Sequence, residues 1–271
     1  SGGVIKIYQN ATVTINGGNF LECYNSGCGS VAFVAKGAKL YVNGGYFHNC
    51  SAILGGAFFI ASSGKMYMSG GQVDNCFAYS VGNNNTQYGR GGSIYVDNGG
   101  NLNISGGSIT KCGTFGLGGG IYAGNSSTVS LKNNTISGCT ATTQSFNETY
   151  QTVFNYETDM GIGSAIYFGA AVSFTMENNE IINNISVAPY GAVYFSDNSS
   201  SGTIKGAISI CSNYYVYDKG IRSIGEMYNF LNYDLTGYNT QKDKDYIVLQ
   251  QSNLYLCDPL YTTAISLNLS K

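Results

Sequence analysis

The sequence predicts an all-β chain wound into a solenoid, a parallel β-helix of about seven to eight coils. Three observations lead there. A block of 17 residues recurs without a gap at 2–18, 29–45, 55–71, 91–107, 118–134, 163–179 and 190–206. A five-residue apolar segment follows each block in register, and the commonest repeat is about 27 residues. Each unit holds three short runs of β-branched and aromatic residues, separated by Gly, Asn and Ser and too short for helices. Such a unit cannot bury its apolar side alone; stacked coils can, at a spacing of roughly 4.8 Å.

The first run of six of the seven blocks carries an aromatic residue at one position: Phe33, Phe59, Tyr95, Tyr122, Tyr167 and Tyr194. Its neighbours are aliphatic or apolar, as in Ile94 and Val96 or Ile121 and Ala123. Alternate strand residues share a face, so inward aliphatics would leave the aromatics as an outward ladder. Two readings are open for that ladder. It is a platform for sugar rings or a partner rod, since an exposed strip of this size is unusual. Or it is stacking that ties neighbouring coils together. The second run presents Thr14, Tyr41, Tyr67, Asn103, Ser130 and Thr175 outward.

The segment after each block has an apolar residue second (Phe20, Phe47, Val73, Ile109, Ile136, Ile181, Ile208). Three positions later stand Cys23, Cys50, Cys76, Cys112, Cys139, Asn184 and Cys211, a column one coil apart. Neighbours near 4.8 Å fall inside the Cα window of roughly 4.4–6.8 Å that a disulfide allows. With Cys28 beside Cys23 and Cys257 in the tail, one pairing uses all eight cysteines: Cys23–Cys28, Cys50–Cys76, Cys112–Cys139 and Cys211–Cys257. The alternative is a ladder of free thiols packed as small hydrophobes. An even count favours disulfides and an oxidising, extracellular setting.

Length varies between coils at one corner, where 77–90 and 140–162 are insertions rich in polar residues and Tyr. Insertions gathered on one side of a solenoid mark a contact side or are tolerated surface loops. Residues 1–211 are thus assigned to the solenoid. Residues 212–271 leave the period, with a short amphipathic helix expected near 222–234 and apolar runs at 246–249 and 254–256. They are expected to form a C-terminal cap or assembly tail over the strand edges. The first coil has no comparable cover, and Ser1 follows no initiator Met or signal peptide, so a processed product or excised segment is expected.

Composition excludes several classes. Thirty-eight Gly with only 2 Pro is incompatible with collagen, and 43% apolar residues argues against disorder. A net charge of −2 gives no nucleic-acid surface. No run of eighteen apolar residues supplies a helical membrane span. No Cys-x-x-Cys occurs and His48 is the only histidine, so neither a zinc site nor another cofactor is expected. Glycoside hydrolysis needs two carboxylates roughly 5–9.5 Å apart. Here 15 acids are scattered along the chain, so no catalytic constellation is expected. Ten Asn-x-Ser/Thr sequons point to the secretory route. Asn84, Asn125, Asn147 and Asn198 lie in corners or insertions and are the expected glycosylation sites, whereas Asn49 and Asn184 adjoin the column and are expected to be structural.

The block openings Gly91-Gly92-Ser93-Ile94, Gly119-Gly120-Ile121, Gly163-Ser164-Ala165-Ile166 and Gly191-Ala192-Val193, with Phe20…Cys23, Phe47…Cys50, Val73…Cys76 and Ile181…Asn184, resemble a known pattern. It is that of the repeats in chlamydial polymorphic outer-membrane proteins and their microbial relatives. Those carry Gly-Gly-small-aliphatic and Phe-x-x-Asn motifs. The resemblance covers about residues 2–211, and Cys stands for the motif's Asn in six copies. It implies a right-handed β-helix and a secreted or surface-exposed adhesin or structural protein without catalysis. The expectation is a glycosylated, disulfide-containing subunit of an extracellular fibre or cell-surface assembly, a homo-oligomer or head-to-tail filament that meets glycans or neighbouring surface proteins. The alternative is a β-helix protein that binds or cleaves polysaccharide.

Overall fold

The computed structural model describes residues 3–79, 89–141, 161–186, 192–196, 199–205, 209–211, 214–215, 254–256 and 266–267. Every strand pair in it is parallel, and chain neighbours always fall in different sheets. Sheet one stacks eight strands in coil order: Ile5–Ile7, Ala32–Val34, Phe58–Ile60, Ile94–Val96, Ile121–Ala123, Ile166–Phe168, Val193–Phe195 and Leu254–Leu256. Sheet two also has eight, from Thr12–Ile15 through Lys39–Val42 and Lys65–Met68 to Ser266–Leu267. Sheet three has seven, from Asn19–Leu21 to Ser209–Cys211. A narrow sheet four has six two-residue strands, from Ser51–Ala52 to Tyr214–Tyr215.

Period-two alternation decides what each sheet buries. In Lys39–Val42, Leu40 and Val42 are wholly buried while Lys39 is exposed. Met66 and Met68, Leu102 and Ile104, and Val129 and Leu131 repeat that choice in the next three coils. Sheet three contributes Phe47, Val73, Ile109, Ile136 and Ile181, and sheet one contributes Phe58, Ile60, Ile94 and Ile166. They form one continuous core along the axis, in which Phe47 and Phe58 meet edge to face at 4.9 Å.

The corners are single left-handed residues. Gly91 and Gly118, which open two blocks, have φ of 66° and 69°. A Cβ there would lie 2.2 Å from the Ile94 oxygen and 2.3 Å from that of Ile121, so the repeat's first glycine is a steric requirement. The corner before the cysteine column tolerates side chains: Glu22, Asn49, Asn75, Lys111 and Asn183 all sit at φ of 51–57°.

Two expectations need correction. The seventh block is not gapless. Its first strand pairs 27 residues on (Ile166↔Val193), but its second pairs 28 on (Ser173↔Ser201) and the following strand 29 on (Ile181↔Ile210). Each corner absorbs one extra residue, and the slip keeps Ile204 beside Met176 and Ile210 beside Ile181. A one-residue error in register would have turned those side chains to the other face. As a result Cys211 pairs with Ile182 and does not occupy the column position. The solenoid also does not stop at 211. Leu254–Leu256 repeats the apolar–aromatic–apolar pattern and pairs with Val193–Phe195, and Ser266–Leu267 pairs within Ser201–Lys205. The helix expected near 222–234 lies outside the described residues.

Candidate functional site

A coil stack offers several outward faces, and they differ in chemistry. The aromatic ladder of sheet one is present and regular. Phe33, Phe59, Tyr95, Tyr122 and Tyr167 stack with centroids 4.9–5.1 Å apart and planes within 9°. Tyr167 and Tyr194 follow at 5.4 Å. The strip is not open, however. Phe59, Tyr95 and Tyr122 are only 7–8% exposed. The residues before the block glycines form a parallel row over them: Cys28, Leu54, Arg90, Leu117 and Ile162. The Arg90 guanidinium carbon sits 5.3 Å from the Tyr122 centroid. Burial pushes the Tyr95 and Tyr122 phenols up, and Arg90 partly opposes it. Ring faces already stacked on each other cannot stack on a sugar. The middle of the ladder is an internal tie between coils, as the stacking alternative has it.

The cysteine column is likewise real from Cys23 to Cys139, but its five cysteines there, and Cys28 outside it, are thiols and none is bridged. Cys50, Cys76, Cys112 and Cys139 are wholly buried. Each sulfur donates to the carbonyl three residues before its column neighbour in the preceding coil. Cys50 reaches Phe20 at 3.4 Å, Cys76 reaches Phe47 at 3.5 Å and Cys112 reaches Val73 at 3.7 Å. Asn184 makes the same contact to Ile136 at 3.1 Å and also accepts from the Cys139 amide at 2.9 Å. Cys therefore keeps the donor half of the Asn role. Hydrogen bonding with Cys76, then burial, pushes the Cys50 thiol up, and burial first of all does so at Cys112. The Cys23–Cys28 pairing does not fit: Cys23 packs on the axial core in line with Cys50, whereas Cys28 packs on the aromatic cluster. The proposed Cys211 partner, Cys257, lies outside the described residues.

Sheet three presents a cluster that the sequence reading missed. His48 Nδ1 lies 2.8 Å from Asp74 Oδ2, Tyr46 Oη donates to the same oxygen at 3.2 Å, and Thr110 Oγ1 donates to Asp74 Oδ1 at 2.6 Å. Burial and then the Asp74 charge raise the Tyr46 phenol. His48, Asp74 and Thr110 hold one position of three successive coils, so aligning the segments YFHNC, QVDNC and SITKC would have revealed them. The cluster ties three coils side by side.

Of the expected glycosylation sites, only Asn125 is described. It is exposed, and its Oδ1 accepts from the Ala170 amide at 2.9 Å, a bond that a glycan on Nδ2 leaves intact. Asn84, Asn147 and Asn198 lie outside the described residues. Asn184 is wholly buried and bonded at both ends of its amide. Among the described residues, no three His, Cys, Asp or Glu side chains are grouped to hold a metal, and no helix is long and apolar enough to cross a membrane.

No curated protein and no solved structure matches the chain. One protein family does, described as the right handed beta helix region, over residues 72–221. That is 150 of the 271 residues. By its repeat, its parallel sheets and this match, the chain belongs to the right-handed β-helix family.

Proposed function

We propose that this chain is a non-catalytic structural or adhesive rod of an extracellular or cell-surface assembly, in which a further coil stacks on its first one. The observation that carries this reading is where apolar surface is left uncovered. Among the described residues the exposed large hydrophobics are Val4, Tyr8, Leu21 and Tyr24, at 54–69% exposure, and all four belong to the first coil. The flanks of the rod are polar by comparison. That end also presents the unpaired edges of Ile5–Ile7, Thr12–Ile15 and Asn19–Leu21. Every coil in the chain is built to stack on another, so a further coil is the surface most complementary to it. The resemblance to chlamydial-type repeats and the sequon at Asn125 support a surface location.

Light scattering after size-exclusion chromatography tests the reading. The average mass should rise with concentration, and a Leu21→Lys, Tyr24→Lys variant should stay at the single-chain mass. A single-chain mass for the unaltered protein at every concentration would overturn it.

A further inference from the structure

The sequence contains three Asn-Gly-Gly runs, at Asn16, Asn43 and Asn98, and all three asparagines are exposed. An asparagine before glycine is open to attack on its side-chain carbon by the next backbone nitrogen, because glycine has no Cβ to crowd the approach. The structure gives the three runs different surroundings. Asn16 and Asn43 hold the same corner of the first two coils, between sheets two and three. Asn43 Nδ2 donates to Asn16 Oδ1 at 2.9 Å, and Ser69 Oγ, in the third coil, donates to Asn43 Oδ1 at 3.2 Å. Each side-chain carbonyl is therefore polarised by a donor from the next coil. The attacking nitrogens are unengaged: among the described residues, neither the Gly17 nor the Gly44 amide donates a hydrogen bond. No atom lies within 4 Å of the place a Gly17 Cβ would take. Asn98 has a comparable donor, since its Oδ1 accepts from the Asn125 amide at 2.8 Å, but the Gly99 amide is held by the Asn125 carbonyl at 2.9 Å. The fold does not ask for asparagine at the shared corner, because Ser69 and Ser105 fill it in the next two coils.

We propose that Asn16 and Asn43 are modification sites, where the chain converts asparagine to aspartate and isoaspartate through a cyclic imide. The Gly17 nitrogen forms a bond to Asn16 Cγ and gives its proton to water. The Cγ–Nδ2 bond then breaks and ammonia leaves, closing a succinimide. Water adds to either ring carbonyl, so the product is aspartate or, with the chain rerouted through the side chain, isoaspartate. Nothing is oxidised, and water is the only co-reactant. Negative charge develops on Asn16 Oδ1 as the new bond forms, and Asn43 Nδ2 already donates to that oxygen, the placement that stabilises an oxyanion. Ser69 Oγ serves Asn43 Oδ1 in the same way for attack by the Gly44 nitrogen. Asn98 has the same sequence and a donor but no free nucleophile, because the Gly99 N–H must first leave the Asn125 carbonyl. At Asn16 the new carboxylate falls between Thr12–Ile15 and Asn19–Leu21, in the coil proposed above to receive a further one. The modification itself stands without that reading; what it adds is a charge that builds with time at the uncovered end.

Peptide mapping by mass spectrometry of the intact protein, aged in mildly alkaline buffer and sampled over time, tests the proposal. Electron-transfer fragmentation tells isoaspartate from aspartate. Asn16 and Asn43 should each convert about ten-fold faster than Asn98 in the folded protein. In urea, where the three Asn-Gly-Gly runs lose their surroundings, the rates should converge. Asn43→Ala should slow Asn16 and Ser69→Ala should slow Asn43, each by about two- to ten-fold, the worth of one hydrogen bond, and neither should alter Asn98. Both substituted positions are exposed, and circular dichroism shows that each variant is folded. Asn98 converting as fast as Asn16 in the folded protein, or an unchanged or faster rate at the partner site in either variant, would overturn the proposal. A constant single-chain mass in light scattering would overturn the stacking reading and leave these rates untouched, which separates the two failures.

Discussion

Replacing Tyr122 tests whether the aromatic ladder holds the coils together. Its ring lies between Tyr95 at 4.9 Å and Tyr167 at 5.1 Å, both within 9° of parallel. Each stacked aromatic pair is worth about 0.5–1.5 kcal/mol beyond the area it buries. Tyr122→Leu keeps most of the apolar volume but loses two such pairs and the Arg90 contact, a loss of about 2–4 kcal/mol. Tyr122→Phe keeps both stacks and should lose about 1 kcal/mol. Phe33 is the internal control. It stacks on Phe59 alone, because Lys6 stands opposite it in the first coil. Phe33→Leu should therefore lose only about 0.5–1.5 kcal/mol. Urea unfolding followed by far-ultraviolet circular dichroism reads the order, and tyrosine fluorescence serves as a second probe because the chain has no Trp and 23 Tyr. Solenoids unfold as coupled neighbouring units, so whole curves are compared. Equal losses for Tyr122→Leu and Phe33→Leu, or losses under about 0.5 kcal/mol for both, would refute the ladder's role.

Other perturbations separate the remaining parts of the fold. Gly91→Ala places a Cβ 2.2 Å from a backbone oxygen and should destabilise by about 3 kcal/mol or more, read as loss of soluble protein or a large drop in urea midpoint. Lys111→Asn, at φ of 52°, should instead stabilise by about 0.5–1 kcal/mol, read as a higher urea midpoint. Alkylation of the reduced native protein, mapped by mass spectrometry, should label the half-buried Cys23 and Cys28 first and the buried column only after urea. Uniform labelling of all six would contradict that packing. Stability should also fall at high pH. Burial raises the phenols of Tyr46, Tyr95 and Tyr122 above the ordinary tyrosine value in the folded state, so their contribution is complete below about pH 10 and is lost as pH climbs past it. Denaturant midpoints from pH 9 to 11.5 check the sign.

Most of the architecture was legible because stacking converts a repeat in sequence into a column in space. The ladder residues and the column from Cys23 to Cys139 could be read by aligning blocks. What resisted was chemistry carried by columns of mixed type. The row that covers the ladder is Cys28, Leu54, Arg90, Leu117 and Ile162, each directly before a block glycine; Arg90 interrupts an otherwise apolar column that lies at the end of the variable-length segment, outside the aligned block. The His48–Asp74–Thr110 cluster is equally heterogeneous, although its members were already in register. Cys211 misled for another reason. Two single-residue corner insertions move it off the column, and each is invisible in a segment whose apolar alternation fits either register. The strand Leu254–Leu256 carries the block pattern plainly, but the long insertion before it hides the period.

Electron cryo-microscopy of the concentrated protein tests the central claim most directly, namely that the chain is a stacked rod extended by the addition of coils at its first-coil end. The account predicts rods of more than one chain length, with a cross-strand repeat of roughly 4.8 Å running unbroken through each junction. Isolated particles one chain long at every concentration, or junctions made through the flanks, would contradict it.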